Sequence, residues 1–273
     1  MSADLPDVLR PPQHQGTEAT ARQVIRVLCL HPKNSNSVLF KQELEVVRTT
    51  VEKNTLHQAF VFEWVFLDAP NLLAPHKDPE GRVWWQLADG ARSFTAEAYF
   101  GDDKSLDVVE STIKNVDLRP KNYSAEGQEH GEGHDAPTAT GILGFSQGAM
   151  MGAIAAARNP DQIRFAVLFG AAVPKPYEKV LEDFGKNSST ARPDVLSVLS
   201  REDSVNPPDM GKWVGDCLNP ESATVLWHGE GHQIPKDPEK LEEIAGWIAN
   251  RVVIVGTEAP GKAEATSSRF LGL

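Results

Sequence analysis

Apolar and polar positions along the chain fall into alternating blocks. Val24–His31 is an almost unbroken aliphatic and β-branched run closed by Pro32, the pattern of a strand buried on both faces. Phe60–Leu67, closed by Asp68-Ala69-Pro70, repeats it, as do Thr140–Phe145, Ile163–Phe169, Asp194–Ser200 and Ala223–Trp227. Between these runs the apolar period lengthens. Val38, Leu39, Leu44, Val47 and Val51 predict an amphipathic helix over 36–54, and Leu106, Val109, Ile113 and Val116 predict another over 104–118. An Ala-rich stretch after Gly148 predicts a helix to Asn159, and Pro238 to Arg251 a closing one with proline near its start. From Asn71 to Asp103 the pattern breaks into Pro, Gly and aromatic residues. Nearly continuous apolar strands alternating with helices predict an α/β fold, a mostly parallel central sheet with helices on both faces. No linker separates two cores, so a single domain is expected over 24–255. It is flanked by an N-terminal extension (1–23) and a small-residue tail (256–273), and it carries a polar, Gly-rich exposed insertion near 119–139.

Composition narrows the function by exclusion. Lys and Arg number 27 against 38 Asp and Glu, a formal charge of −11. Nucleic-acid binding needs clustered cations, and this balance argues against it. No apolar run approaches membrane-spanning length, and the first 23 residues lack the charged-then-apolar order of a signal peptide. With two cysteines, Cys29 and Cys217, and neither at metal-ligand spacing, a reducing, cytoplasmic setting is the simpler expectation. No Gly-x-Gly-x-x-Gly follows the first strand, so a dinucleotide is not expected.

The chemistry is announced at Gly144-Phe145-Ser146-Gln147-Gly148. Gly-x-Ser-x-Gly is common by chance, but between a strand and a helix it is a nucleophile elbow, which holds a serine out at the sheet edge. A serine there needs a base, and in α/β-hydrolases the order is Ser, then Asp or Glu, then His. The run ending at Ser200 leads into Arg201-Glu202-Asp203, and the run ending at Trp227 leads into His228-Gly229-Glu230-Gly231-His232. Asp203 is the candidate acid, with Glu202 the alternative one residue away. His232 is the candidate base. His-Gly-Glu-Gly-His also occurs at 130–134, but that copy precedes the serine and follows no strand. Two histidines four apart on a Gly-rich loop share no helical face, so no metal is expected. Oxyanion donors are expected at the backbone N–H of Gln147, at the start of its helix, and of Lys33, since Pro32 has none to give. Trp84, Trp85, Phe94, Tyr99, Pro174 and Tyr177 lie in Pro- and Gly-interrupted segments and are candidate walls of an apolar acyl pocket. Taken singly, each would more often be core filling.

On these residues the chain resembles the FSH family of serine hydrolases within the α/β-hydrolases. The matching pieces are Leu28-Cys29-Leu30-His31 with Asn36 and Phe40, Asp68-Ala69-Pro70, Gly144–Gly148, Asp203 with Val205, and His228–His232 with Pro235. The family pattern has His-Gly after the first strand where this chain has His31-Pro32. The resemblance implies hydrolysis of an acyl ester or thioester through an acyl-enzyme, without a cofactor. Family members that release polyketide chains from fungal synthases extend the implied substrates to carrier-bound thioesters and secondary metabolism. Two other readings remain open at this level. One is a biosynthetic α/β-hydrolase performing acyl transfer, cyclisation or dehydration, and the other is a binding protein that retains the fold.

Overall fold

The six apolar runs lie side by side in one sheet in which every neighbouring pair is parallel. The computed structural model describes residues 23–55, 60–73, 81–115, 140–187 and 191–257. Numbered along the chain, the sheet strands are β1 (Gln23–Leu30), β2 (Phe60–Leu67), β5 (Thr140–Phe145), β6 (Phe165–Phe169), β7 (Asp194–Ser200) and β8 (Thr224–His228). Their spatial order is β2-β1-β5-β6-β7-β8, while β3 (Asn71–Leu72) and β4 (Arg82–Val83) form a separate antiparallel pair. The proposed extension up to residue 22, the 119–139 insertion with the first His-Gly-Glu-Gly-His, and the tail beyond Thr257 lie outside the described residues, while Gln23, placed in the extension by the sequence pattern, begins β1.

Successive side chains of a strand point to opposite faces, so each buried strand feeds two cores. Leu28 and Leu30 join one with Ile142, Ala166 and Leu168, while Ile25, Val27 and Cys29 join the other with Leu143, Val167 and Val198. The first core is covered by α3 (Asp102–Asn115), α4 (Gln147–Arg158), α5 (Glu178–Lys186) and α6 (Pro208–Leu218). The second is covered by α1 (Ser37–Glu43), α2 (Glu45–Thr55) and α7 (Pro238–Thr257).

The helix expected over 36–54 is divided at buried Leu44, whose backbone leaves helical geometry at ψ 0°. The hydrogen-bond ladder still runs through it, with Leu44 N donating to Phe40 O at 3.0 Å and Arg48 N to Leu44 O at 2.9 Å. Two helices, α5 and α6, arise where the sequence pattern shows none. α7 runs to Thr257, so the first residues read as tail are helical.

The strand order places the site. After β1 the chain moves outward to β2, then returns to β1's other side as β5. Ligand crevices of open α/β sheets form at such a reversal, outside the carboxyl ends of the strands. The loop from His31 to Asn36 leaves β1 there, and Ser146 leaves β5 beside it.

Candidate active site

Ser146 departs from ordinary backbone geometry, with φ +53° and ψ −114°, on the single residue between β5 and α4. A non-glycine residue at positive φ costs about 1–3 kcal/mol and persists only where its surroundings impose it. Here they do. Ser146 N–H donates to Phe169 O of β6 at 2.9 Å, and its carbonyl accepts the Met150 N–H of α4 at 3.1 Å. The two glycines of the motif allow the turn to close: a Cβ on Gly144 would come within 2.5 Å of Gly148 O, and one on Gly148 within 2.1 Å of Leu30 O.

His232 reaches Ser146 from the loop after β8. Its Nε2 lies 2.9 Å from Ser146 Oγ and its Nδ1 2.7 Å from Asp203 Oδ2. Since Nδ1 faces an acceptor-only carboxylate, it carries the proton, leaving Nε2 to accept from the serine hydroxyl. The Asp203 side chain is 3% exposed. Its other oxygen accepts the N–H groups of Val205 and Asn206 at 2.8 and 2.9 Å, which fixes the carboxylate towards the imidazole. Glu202, the alternative acid, does not reach His232; its Oε2 accepts the Ser200 hydroxyl at 3.1 Å. The loop bearing His232 is closed by Glu230, whose carboxylate accepts the N–H groups of Lys236 and Asp237 at 2.8 and 3.1 Å. Serine, imidazole and carboxylate therefore form an unbroken hydrogen-bonded series. Such a series can take a proton from Oγ as it attacks a carbonyl and hold the resulting imidazolium in place.

Neither the Gln147 nor the Lys33 backbone N–H donates to a protein acceptor among the described residues, whereas the Asn34 N–H is taken by Arg82 O at 2.9 Å. Asn34 has φ +63°, so the loop after β1 turns sharply just beyond Lys33. His31 anchors it from below. Its Nε2 accepts the Ala69 N–H at 3.0 Å, so its Nδ1 carries the proton and donates to Pro32 O at 2.8 Å. The His31 carbonyl in turn accepts Trp84 Nε1–H at 2.8 Å. Asn36 and Asp68 cap α1, accepting the N–H groups of Leu39 and Ser37 at 2.9 and 2.8 Å.

Burial lowers the tendency of His31 to take a proton, outweighing the opposing influence of the Pro32 carbonyl, and burial acts likewise on His228. Both are held neutral in the fold, while in the unfolded chain they titrate near pH 6.5. The unfolded state thus binds protons first, so stability contributed by these groups is full above about pH 6.5 and is lost as pH falls towards the folded value. The urea midpoint is expected to fall as the pH drops below about 6.5. The fall should be shallower in His31→Gln, whose side-chain oxygen can still accept the Ala69 N–H.

The aromatic candidates divide by burial. Trp84 and Trp85 are 0% exposed, members of the first core, and neither is the pocket wall the sequence suggested. Trp85 stacks on Tyr99 with ring centroids 4.4 Å apart, and Tyr99 is itself 7% exposed. Pro174 is buried, while Phe94 and Tyr177 are half-buried at the margin of that core. Tyr177 Oη donates to Asp102 Oδ2 at 2.6 Å, tying the turn before α5 to the start of α3.

Sequence reasoning missed the Gln147 side chain, having considered only its backbone. Its amide oxygen accepts Trp84 N–H at 2.9 Å and its nitrogen donates to Trp85 O at 2.9 Å, so the elbow holds the tryptophan segment directly. A long amide side chain directly after the elbow serine, at the first position of an Ala-rich helix, was the available signal.

Among the described residues no group of three His, Cys, Asp or Glu side chains is arranged to hold a metal, and no helix is long and apolar enough to cross a membrane. By sequence, the chain is 26% identical over 237 residues to the esterase FPY3 of Fusarium mangiferae, covering 81% of this chain and 94% of that protein. It is likewise 26% identical over 237 residues to the esterase OVCA2 of Danio rerio, covering 77% and 90%. By fold it is similar to the crystal structure of Arabidopsis thaliana SOBER1, with a TM-score of 0.57 at 17% identity over 84% of this chain and 99% of that one. Residues 20–244, a span that includes the elbow, the acid turn and the histidine loop, match the profile of one family, and the chain belongs to it: the serine hydrolase (FSH1) family.

Proposed function

We propose that this serine hydrolase cleaves carboxylic esters or thioesters through a covalent acyl-enzyme, with Ser146 as nucleophile, His232 as general base and acid, and Asp203 as the group that orients the imidazole. The observation that carries the reading is the continuous series from Ser146 Oγ to His232 at 2.9 Å and from His232 to Asp203 at 2.7 Å. Ser146 Oγ attacks the carbonyl carbon as His232 Nε2 takes its proton. The tetrahedral oxyanion is received by the N–H groups of Gln147 and Lys33. His232 returns the proton to the departing alcohol or thiol, and water then repeats the steps on the acyl-enzyme. Every atom involved is supplied by the protein, substrate or water, so the reaction runs without a cofactor.

The curated relatives named above are esterases, which favours an oxygen ester. The narrower reading, release of an acyl or polyketide chain from a carrier thioester, shares the same residues and differs only in the leaving group. A fluorophosphonate probe should label wild-type protein on the Ser146 peptide and leave Ser146→Ala unlabelled. The wild type should then turn over a panel of aryl esters and acyl thioesters that Ser146→Ala does not. Absence of labelling on Ser146 would favour a binding role for the fold. A product other than the free acid would favour acyl transfer or cyclisation.

A further inference from the structure

The turn carrying Asp203 and the loop carrying His232 leave neighbouring strands, β7 and β8, and they meet at one hydroxyl. Ser200 ends β7, is 1% exposed, and lies in register with His228 of β8. Its Oγ is 3.0 Å from Gly231 N, 3.2 Å from Glu202 N and 3.1 Å from Glu202 Oε2. A hydroxyl has one proton and two lone pairs. Both backbone N–H groups can only donate, so they occupy the lone pairs, and the proton goes to the Glu202 carboxylate. The Ser200 carbonyl completes the set by accepting the Asp203 N–H at 3.3 Å. One buried residue is therefore bonded to the acid, to the residue before the acid, and to the residue before the histidine.

We infer that Ser200 is a positioning residue for the hydrolysis, a clasp that fixes the acid turn against the histidine loop, and that Glu202 sets the direction of its hydroxyl. The inference rests on the assignment of Ser146, His232 and Asp203 made above. It gives Glu202, which makes no contact with His232, a task of its own. The need for a clasp follows from the chain. Asp203 and His232 stand on separate turns, and Gly231, immediately before the histidine, sits at φ +73° with no side chain to pack. The Gly231 N–H bond to Ser200 pins that glycine from the neighbouring strand. Removing the hydroxyl would leave two N–H groups without their acceptor and would let the loop shift relative to Asp203.

Misplacing a catalytic group by about 1 Å can cost 10²-fold. Ser200→Ala is therefore expected to lower kcat on an aryl ester about 10- to 100-fold with KM unchanged, and to slow fluorophosphonate labelling in proportion. Ser200→Thr, which keeps the hydroxyl, should recover most of the loss. If Ser200→Ala does not fold, Glu202 gives the reading instead. Glu202→Ala should lower kcat with KM unchanged, and Glu202→Gln, whose oxygen still accepts the hydroxyl, should recover part of that loss. An unchanged kcat in Ser200→Ala, or a loss that Ser200→Thr does not restore, overturns the clasp. Equal kcat in wild type, Glu202→Ala and Glu202→Gln overturns it too. Wild-type protein that fails to label on Ser146 would instead sink the triad assignment, which separates the two failures.

Discussion

Replacing His232 with alanine is expected to lower kcat for ester cleavage by about 10⁵- to 10⁶-fold, and Ser146→Ala by a comparable factor. The double variant should be no slower than either single one. The reason lies in how the pair works. A serine hydroxyl attacks a carbonyl only as its proton leaves, and the proposed acceptor for that proton is His232 Nε2, 2.9 Å away. Without the imidazole, Oγ remains a poor nucleophile; without Oγ, the imidazole has nothing to activate. Each loss therefore removes the same step, and the two penalties do not add. Rate above the uncatalysed reaction that survives in the double variant is assigned to binding and to the proposed oxyanion donors. Steady-state kinetics on one aryl ester, with protein purified free of host esterases, checks this. Additive losses, or a His232→Ala enzyme that retains a tenth of its activity, would mean that another group takes the proton.

Gly148→Ala is expected to be the most damaging single methyl added to the described structure, lowering stability by about 3–5 kcal/mol. A Cβ at this position would stand 2.1 Å from Leu30 O and 2.5 Å from His31 O. These are backbone atoms at and just beyond the carboxyl end of β1, a strand paired on both sides, so no side chain can rotate aside to make room. Relief requires α4 to lift from β1, which would also disturb the elbow and the His31–Asn34 loop. A drop in melting temperature of about 10 °C or more should accompany loss of ester turnover. Gly246→Ala, in α7, is the control. A Cβ there meets nothing within 4 Å, and alanine in a helix interior is favoured over glycine by about 0.5–1 kcal/mol. Equal effects at the two positions would show that close approach at the elbow is not what demands glycine.

The central strands were legible in the sequence because burial on both faces leaves a strand almost no polar positions. The elbow serine and the order of acid and histidine were legible because each follows such a run. The sequence favours Asp203 but leaves Glu202 as an alternative, since adjacent residues point differently only once the turn is built. It is the N–H groups of Val205 and Asn206 that draw Asp203 inwards. α6 escaped notice for a related reason. Two positions where a helix would usually show apolar side chains are Gly211 and Gly215, and added Cβ atoms would lie 2.5 Å from Leu199 Cδ2 and 2.6 Å from Ser197 Oγ. The helix packs so closely on the sheet that two of its four buried positions carry no side chain, and Val214 and Leu218 alone are too few to show a period. Trp84 and Trp85 misled in the opposite direction, because an irregular aromatic segment looks like a pocket wall whether or not the rings face solvent.

The pairing of β1 with β5, which sets Leu30 beside Gly144, closes the sheet across all of the chain between them. A loop that long carries a large entropic cost before any contact rewards it, and the three proposed catalytic residues lie still further along, beyond β5, β7 and β8. The proton relay can therefore exist only after the last strand has found its place. The proposed catalytic residues are thus brought together only by the assembled sheet.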